Sequence, residues 1–229
     1  MQEIIEALHL TFSNETVRNT VRQLGYRRKK KSLHASEQER LRCGAEEKNW
    51  NGLISGFKAS DLVFLDESGC NTDMTRRYAY SLGGSRAVDS APLSKPKNTT
   101  ILSSIQLDGT LHYTTFSGGT TVERFKQYLE TDLLPHLNGN SVLIMDNMKS
   151  HHAKAVKDLL DNSGVRYIYL PPYSPDLNPI EKLWSKVKAF LRKFKARTLD
   201  TLPDAIQHAF QTVSSSDCSG WFKSCDYLH

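Results

Sequence analysis

The sequence predicts an α/β fold in which helices flank a mixed sheet, preceded by a short helical segment. Three observations carry this. Short apolar runs, 62–66 and 141–146, each end on an aspartate. Asp108-Gly109 separates two strand-like stretches, a strong hairpin signal. The second half alternates strand-like runs with helical periodicity, as βα crossovers require.

In chain order, residues 1–26 read as two short helices. Ile4, Ile5 and Leu8 form a stripe on the first. After Thr11-Phe12, Ser13 is the N-cap of the second, which turns Val17, Val21 and Leu24 inward and stops at Gly25. Arg18, Asn19, Arg22 and Gln23 face outward. Residues 27–34 are a basic linker opening with Arg27, Arg28, Lys29, Lys30 and Lys31, and the charged stretch from Ala35 to about Asn51 is helical. The expected division is 1–26, a partial helix-turn-helix; 27–60, linker and bridging helix; and 61–229, the main domain.

Within that domain the expected elements are a strand at 62–66 and hairpin strands at 98–107 and 110–116. A helix at 121–136 follows, with Val122, Phe125, Tyr128, Leu129 and Leu133 on its apolar face. Then come a strand at 141–146, a helix from His151 to Asn162, a strand at 165–170, and helices at 179–195 and about 202–215. Early strands pair antiparallel, and later ones enter through helical crossovers.

Chemistry concentrates in three carboxylates. Asp66 ends Leu62-Val63-Phe64-Leu65, Asp146 ends Val142-Leu143-Ile144-Met145, and Glu181 closes Pro171-Pro172-Tyr173-Ser174-Pro175-Asp176-Leu177-Asn178-Pro179-Ile180. Two strand ends and a helix start can converge on hard cations, which take oxygen ligands and serve phosphoryl transfer. Each has an ordinary alternative. Either aspartate can begin a turn. Glu181 can close a capping box with Asn178 as N-cap and Pro179 at the first helical position, competing with a metal.

The blocks Phe64-Leu65-Asp66-Glu67-Ser68-Gly69, Met145-Asp146-Asn147 and Pro171 to Glu181 resemble those of mariner-superfamily transposases, most closely the bacterial insertion-sequence branch. The 34 residues between Asp146 and Glu181 match that branch's spacing, and the resemblance spans roughly residues 10 to 227. It implies an RNase H-like five-stranded fold and a DDE triad of Asp66, Asp146 and Glu181 that cuts element ends and joins them to target DNA. It also implies two Mg²⁺ or Mn²⁺ ions, with Asp66 bridging both, Asp146 on one and Glu181 on the other. A TA target, a homodimer holding two ends, and a longer DNA-reading region than the segment present here are further implications. Two alternatives stand beside it: an RNase H-fold nuclease without strand transfer, and a non-catalytic DNA-binding relic of a decayed element.

Charge agrees with a nucleic-acid partner. The formal net charge is +5, and residues 182–197 hold Lys182, Lys186, Lys188, Arg192, Lys193, Lys195 and Arg197 with no acidic residue. Arg18, Arg22, the run Arg27 to Lys31, Lys182, Lys186 and Lys188 are the candidate DNA contacts, set against the ordinary reading of a solvated basic face. Cys43, Cys70, Cys218 and Cys225 form no C-x-x-C pair and read as reduced thiols. No signal peptide or membrane-length apolar run is present, so the expected location is the bacterial cytoplasm, on DNA. Trp184 reads as core. His151 and His152 read as surface or capping residues, Asp176 as part of the Pro-rich turn, and Asn147 and Asn178 as caps or groups that orient water or DNA.

Overall fold

The structure is a computed structural model describing residues 5, 7–9, 11–26, 49–76, 78–81, 83, 85–92 and 97–228. The chain forms two compact units, 1–35 and 36–229. In the first, α1 (Asn14–Gln23) begins as expected: Ser13 Oγ accepts the Thr16 N–H at 3.2 Å. Val17 is buried, but Leu24 is exposed. Among the described residues, Leu24 lines an apolar groove with Leu8, Phe12 and Val21 instead of closing a core. Ile4, the basic run 27–31, the linker, most of the charged helix and Cys43 lie outside the described residues.

The second unit is built on one five-stranded sheet. Its strands are β1 (Leu62–Cys70), β2 (Thr99–Ile105), β3 (Leu111–Ser117), β4 (Val142–Met145) and β5 (Arg166–Tyr169). Their order is β3-β2-β1-β4-β5. β1, β2 and β3 pair antiparallel, whereas β4 runs parallel to β1 and to β5. Asp108 makes the hairpin turn by accepting the Thr110 N–H at 2.8 Å. Gly109 follows at φ +95°, and a Cβ there would lie 3.1 Å from Ser215 Cα.

Alternation along β1 and β4 divides the core between two faces. Leu62, Phe64 and Ile144 meet α4 (Ile180–Phe194), α5 (Leu202–Gln211) and α6 (Ser215–Ser224) on one. Phe64 packs edge-on against Phe222, with centroids 5.3 Å apart. Val63, Leu65, Leu143 and Met145 meet α2 (Val122–Tyr128) and α3 (Lys154–Ser163) on the other. This is the predicted mixed α/β sheet with helices on both faces.

Several boundaries differ from expectation. β1 extends to Cys70 because all of 64–70 pairs with β2. The helix expected over 121–136 is regular only to Tyr128, then widens to a π turn over Leu129–Leu133 and tightens to a 3₁₀ turn at Leu134–His136, with Pro135 in that turn. α3 starts at Lys154, not His151, since His151 is drawn into the interior ahead of it. The last expected helix ends at Gln211 and a separate α6 follows. Ser214 Oγ accepts the Asp217 N–H, and Asp217 Oδ2 accepts the Ser214 N–H, so a reciprocal capping box starts a new helix.

Candidate active site

A cleft of about 430 Å³ opens beside the middle of β1, at the C-terminal end of β4 and the N-terminus of α4. Asp66, Asp146 and Glu181 all line it, with Asn147, Met148, Asn178 and the loop from Leu170 to Pro175. Parallel pairing of Leu65 with Met145 brings the two aspartates, each the next residue along, to adjacent strands on one face. Glu181 arrives on the first turn of α4.

Each carboxylate is held differently. Asp66 is buried in the sheet, and Oδ2 accepts the Trp184 indole N–H at 3.0 Å. Burial pushes its carboxyl up to about 7; the neighbouring Glu181 and Asp146 carboxylates add to this, and the Trp184 bond opposes it. Trp184 is therefore core, as expected, and it also fixes a site carboxylate, which its sequence position did not reveal.

Asp146 is half-exposed. Its Oδ1 lies 2.8 Å from His151 Nδ1, which also reaches the Asp146 carbonyl at 3.3 Å, and accepts the Met148 N–H at 3.0 Å. Burial alone would raise this carboxyl, but the His151 bond and charge and the Met148 N–H outweigh it and hold it below the usual carboxylate range.

Glu181 closes no capping box. No side-chain cap bond forms at the start of α4, the Glu181 N–H bonds the Asn178 carbonyl at 3.2 Å, and Asn178 Oδ1 is buried without a hydrogen-bond partner.

The Pro-rich loop is anchored at both ends. The Asn147 side-chain amide donates to the Leu170 carbonyl, and the Leu170 N–H bonds the Met145 carbonyl at 2.8 Å. A 3₁₀ turn at Pro175–Leu177 follows, and the Tyr227 hydroxyl donates to the Leu177 carbonyl at 2.7 Å. His152 is exposed; its Nε2 lies 3.2 Å from Asn147 Oδ1, and its ring stacks on Tyr169 at 4.0 Å.

His151 is the largest departure from the sequence reading. It is fully buried, stacked on Phe125 at 4.2 Å, with Nδ1 toward Asp146 and Nε2 3.3 Å from Glu67 Oε1. Alternation along β1 turns Glu67 away from Asp66 and so toward this ring. Both ring nitrogens face carboxylates, which favours the charged form of the ring. Burial lowers its pKa, but the Asp146 and Glu67 bonds overcome that and push it up to about 9. Ligand atoms of Glu67, Asp146 and His151 lie within 4.8 Å of one another. With each nitrogen committed to a different carboxylate, this is a hydrogen-bonded bridge behind the cleft.

Residues 61–203, the stretch holding all three carboxylates, match the family described as DDE superfamily endonuclease. The chain belongs to that family. Among relatives, the chain is similar to the Transposable element Tcb2 transposase of Caenorhabditis briggsae, 33% identical over 75 residues. That match covers 33% of this chain and 28% of the relative, so it spans under a third of either protein. Among solved structures it is similar to the Mos1 transposase paired-end complex with left transposon end, with a TM-score of 0.80 at 20% identity over 98% of this chain and 70% of that one. It is also similar to the mariner Mos1 paired end complex with Mg, with a TM-score of 0.77 at 19% identity over 99% and 71%. These likenesses establish the RNase H-like fold.

The candidate DNA contacts fall in varied settings. Arg18 pairs with Glu15 at 3.0 Å on α1, and Arg22 lies on its last turn. Lys182 is exposed and Lys188 half-buried. Lys186 is drawn to Asp217 on α6, with Nζ 2.6 Å from Oδ2. Lys195 pairs with Asp89 at 2.7 Å, and Arg197 donates to the Thr72 and Met74 carbonyls. The basic stretch is thus partly internal scaffolding. Cys70, Cys218 and Cys225 are buried free thiols. Among the described residues no helix is long and apolar enough to cross a membrane.

Proposed function

We propose that this DDE endonuclease is a transposase that cuts element ends and joins them to target DNA, with Asp66, Asp146 and Glu181 as its catalytic carboxylates. The observation that carries the reading is the meeting of these three residues, 115 positions apart at the extremes (181 − 66), in one open cleft of about 430 Å³.

The cleft's chemistry fits divalent cations. Its donors are carboxylate oxygens and the unpartnered Asn178 Oδ1, the hard-ligand set that suits Mg²⁺ or Mn²⁺ over Zn²⁺. Asp66 is held near neutrality by burial and two acidic neighbours, a mutual repulsion that bound cations would relieve. Asp66, Asp146 and Glu181 would hold two such ions. Bound there, they would stabilise charge on the phosphate and leaving oxygens and activate a water or a 3′-hydroxyl. The chain contributes fixed carboxylates: Asp66 through Trp184, Asp146 through His151 and Met148, and Glu181 through the anchored Pro-rich loop.

The partner is double-stranded DNA, both the element's terminal repeats and the target. Support comes from Mos1, solved with a transposon end, and from the basic residues Arg18, Arg22, Arg27 to Lys31, Lys182 and Lys188. Residues 1–26 supply a partial DNA-reading segment, residues 27–60 a basic connection, and 61–229 the catalytic domain. The spacing of Asp146 and Glu181 favours the bacterial insertion-sequence branch, and the resemblance to mariner-superfamily transposases implies a homodimer holding two ends.

The test is Asp146→Ala. Mg²⁺- or Mn²⁺-dependent cleavage of terminal-repeat DNA should disappear while duplex binding persists; full nicking by the purified variant would overturn the assignment. Strand transfer is read separately, by joining pre-cleaved 3′-hydroxyl ends to a plasmid. Cleavage without joining would favour the hydrolytic nuclease.

A further inference from the structure

We propose that His151 is a positioning residue for Asp146: its imidazole clamps one carboxylate oxygen from behind the cleft, leaving the other for a cation. This rests on the reading of Asp146 as a metal ligand and adds how that ligand is held.

The geometry is specific. His151 Nδ1 sits between two oxygens of Asp146, 2.8 Å from Oδ1 and 3.3 Å from the carbonyl, and the Met148 N–H reaches Oδ1 at 3.0 Å. Oδ1 thus carries two donors while the residue still lines the cleft, and Oδ2 is left for a ligand from that side. The ring cannot swing away. Phe125 stacks on it at 4.2 Å, and Glu67 Oε1 takes Nε2 at 3.3 Å. Its own carbonyl accepts the Tyr169 hydroxyl at 3.0 Å.

A fully buried imidazole between two carboxylates is expensive as mere packing, because desolvating charge is unfavourable unless each charge is paired. The arrangement holds because strand alternation puts Asp66 and Glu67 on opposite faces of β1. Asp66 enters the cleft directly. Glu67 acts from the other face, through His151, on the carboxylate of the neighbouring strand. Residues that hydrogen-bond a metal's ligands orient them, and their loss lowers metal affinity by about 10- to 100-fold.

The experiment is titration of the full chain with Mn²⁺ alone, followed by loss of the free-ion electron paramagnetic resonance signal. It compares His151→Asn, His151→Gln, Glu67→Gln and Asp146→Asn, each checked for folding by circular dichroism. The asparagine amide sits near the place of Nδ1 and keeps the bond to Asp146. The glutamine amide sits near Nε2 and loses it. His151→Gln should weaken Mn²⁺ binding by about 10- to 100-fold, and His151→Asn should stay near wild type.

Wild-type affinity in His151→Gln, or equal losses in the two variants, would overturn the proposal. If neither His151 variant folds, Glu67→Gln decides. It leaves every cleft carboxylate intact but loosens the ring's rear support, so several-fold weaker Mn²⁺ binding is expected and unchanged binding overturns the role. Wild-type affinity in Asp146→Asn would instead show that the cleft reading itself has failed.

Discussion

Trp184 donates its indole N–H to Asp66 Oδ2 at 3.0 Å, joining the first turns of α4 to β1 across 118 positions. Trp184 lies three residues after Glu181, so one helix both carries a cleft carboxylate and fixes another.

Trp184→Phe keeps most of the ring and removes this donor. The bond lowers the Asp66 pKa, so its loss should move the carboxyl above its value of about 7. Stability should fall by about 1–3 kcal/mol, the range for an abandoned buried acceptor. Carboxyl ¹³C titration of Asp66 and denaturant unfolding would check both; an unmoved Asp66 midpoint would show that the bond does not control this group.

Phe64 anchors the face that carries the cleft. Phe64→Ala would leave a void against Phe222 and Tyr227, whose rings lie 5.3 and 5.0 Å away. The expected destabilisation is about 3–5 kcal/mol in urea unfolding, the range for a fully buried phenylalanine.

Gly109 combines a positive φ with a close approach to Ser215 at the start of α6. Gly109→Ala adds a methyl group in the wrong backbone region and against backbone atoms. About 1–3 kcal/mol of stability should be lost, read as a lower urea midpoint with an unchanged slope.

Asp217 gives an acid-limb prediction. The Lys186 bond, then the Ser214 hydroxyl and N–H, lower its pKa to about 2, against an ordinary 3.8. A depressed carboxylate stabilises above its unfolded pKa, and that contribution is lost as pH falls from 3.8 through about 2. Asp217→Asn should lower the melting temperature at pH 7, with the deficit shrinking between pH 4 and pH 2. Because the pair is partly exposed, the effect should also shrink in high salt. A deficit independent of pH would assign Asp217 to helix capping alone.

DNA affinity should fall steeply with salt if Arg27 to Lys31, Lys182 and Lys188 meet phosphates. Seven such contacts would give a log–log slope of about −6. Neutralising Lys186 should change the slope less than neutralising Lys182, since Asp217 already holds the Lys186 ammonium. Equal effects would place both lysines on phosphate.

The parts of the site that local pattern controls were legible in the sequence. Asp66 and Asp146 announce themselves as polar ends of apolar strands, and the Pro-rich block marks the approach to Glu181. His151 was not legible, because its role depends on Glu67, 84 positions away on β1. A signal did exist: strand alternation aims Glu67 at the core face occupied by Val63 and Leu65, and a charge aimed there needs a partner. α6 was missed because its Ser-rich stretch has weak apolar periodicity. Its start was written in Ser214-x-x-Asp217, the spacing of a capping box. The π turn after Tyr128 leaves no such mark, since widening a helix by one residue follows from packing around Leu129 and Leu133.

The opposed faces of Asp66 and Glu67 bear on which genetic changes this chain can survive. A single-codon insertion or deletion within Leu62 to Asp66 would reverse every later side chain of β1. Asp66 would turn toward Phe125 and α3, and Glu67 toward Trp184 and the cleft. A carboxylate would still face each side, yet the shorter and longer acids would have traded stations, leaving Trp184 and His151 each with a partner of the wrong reach. Substitutions in this strand can be graded, but changes in its length should be all-or-none.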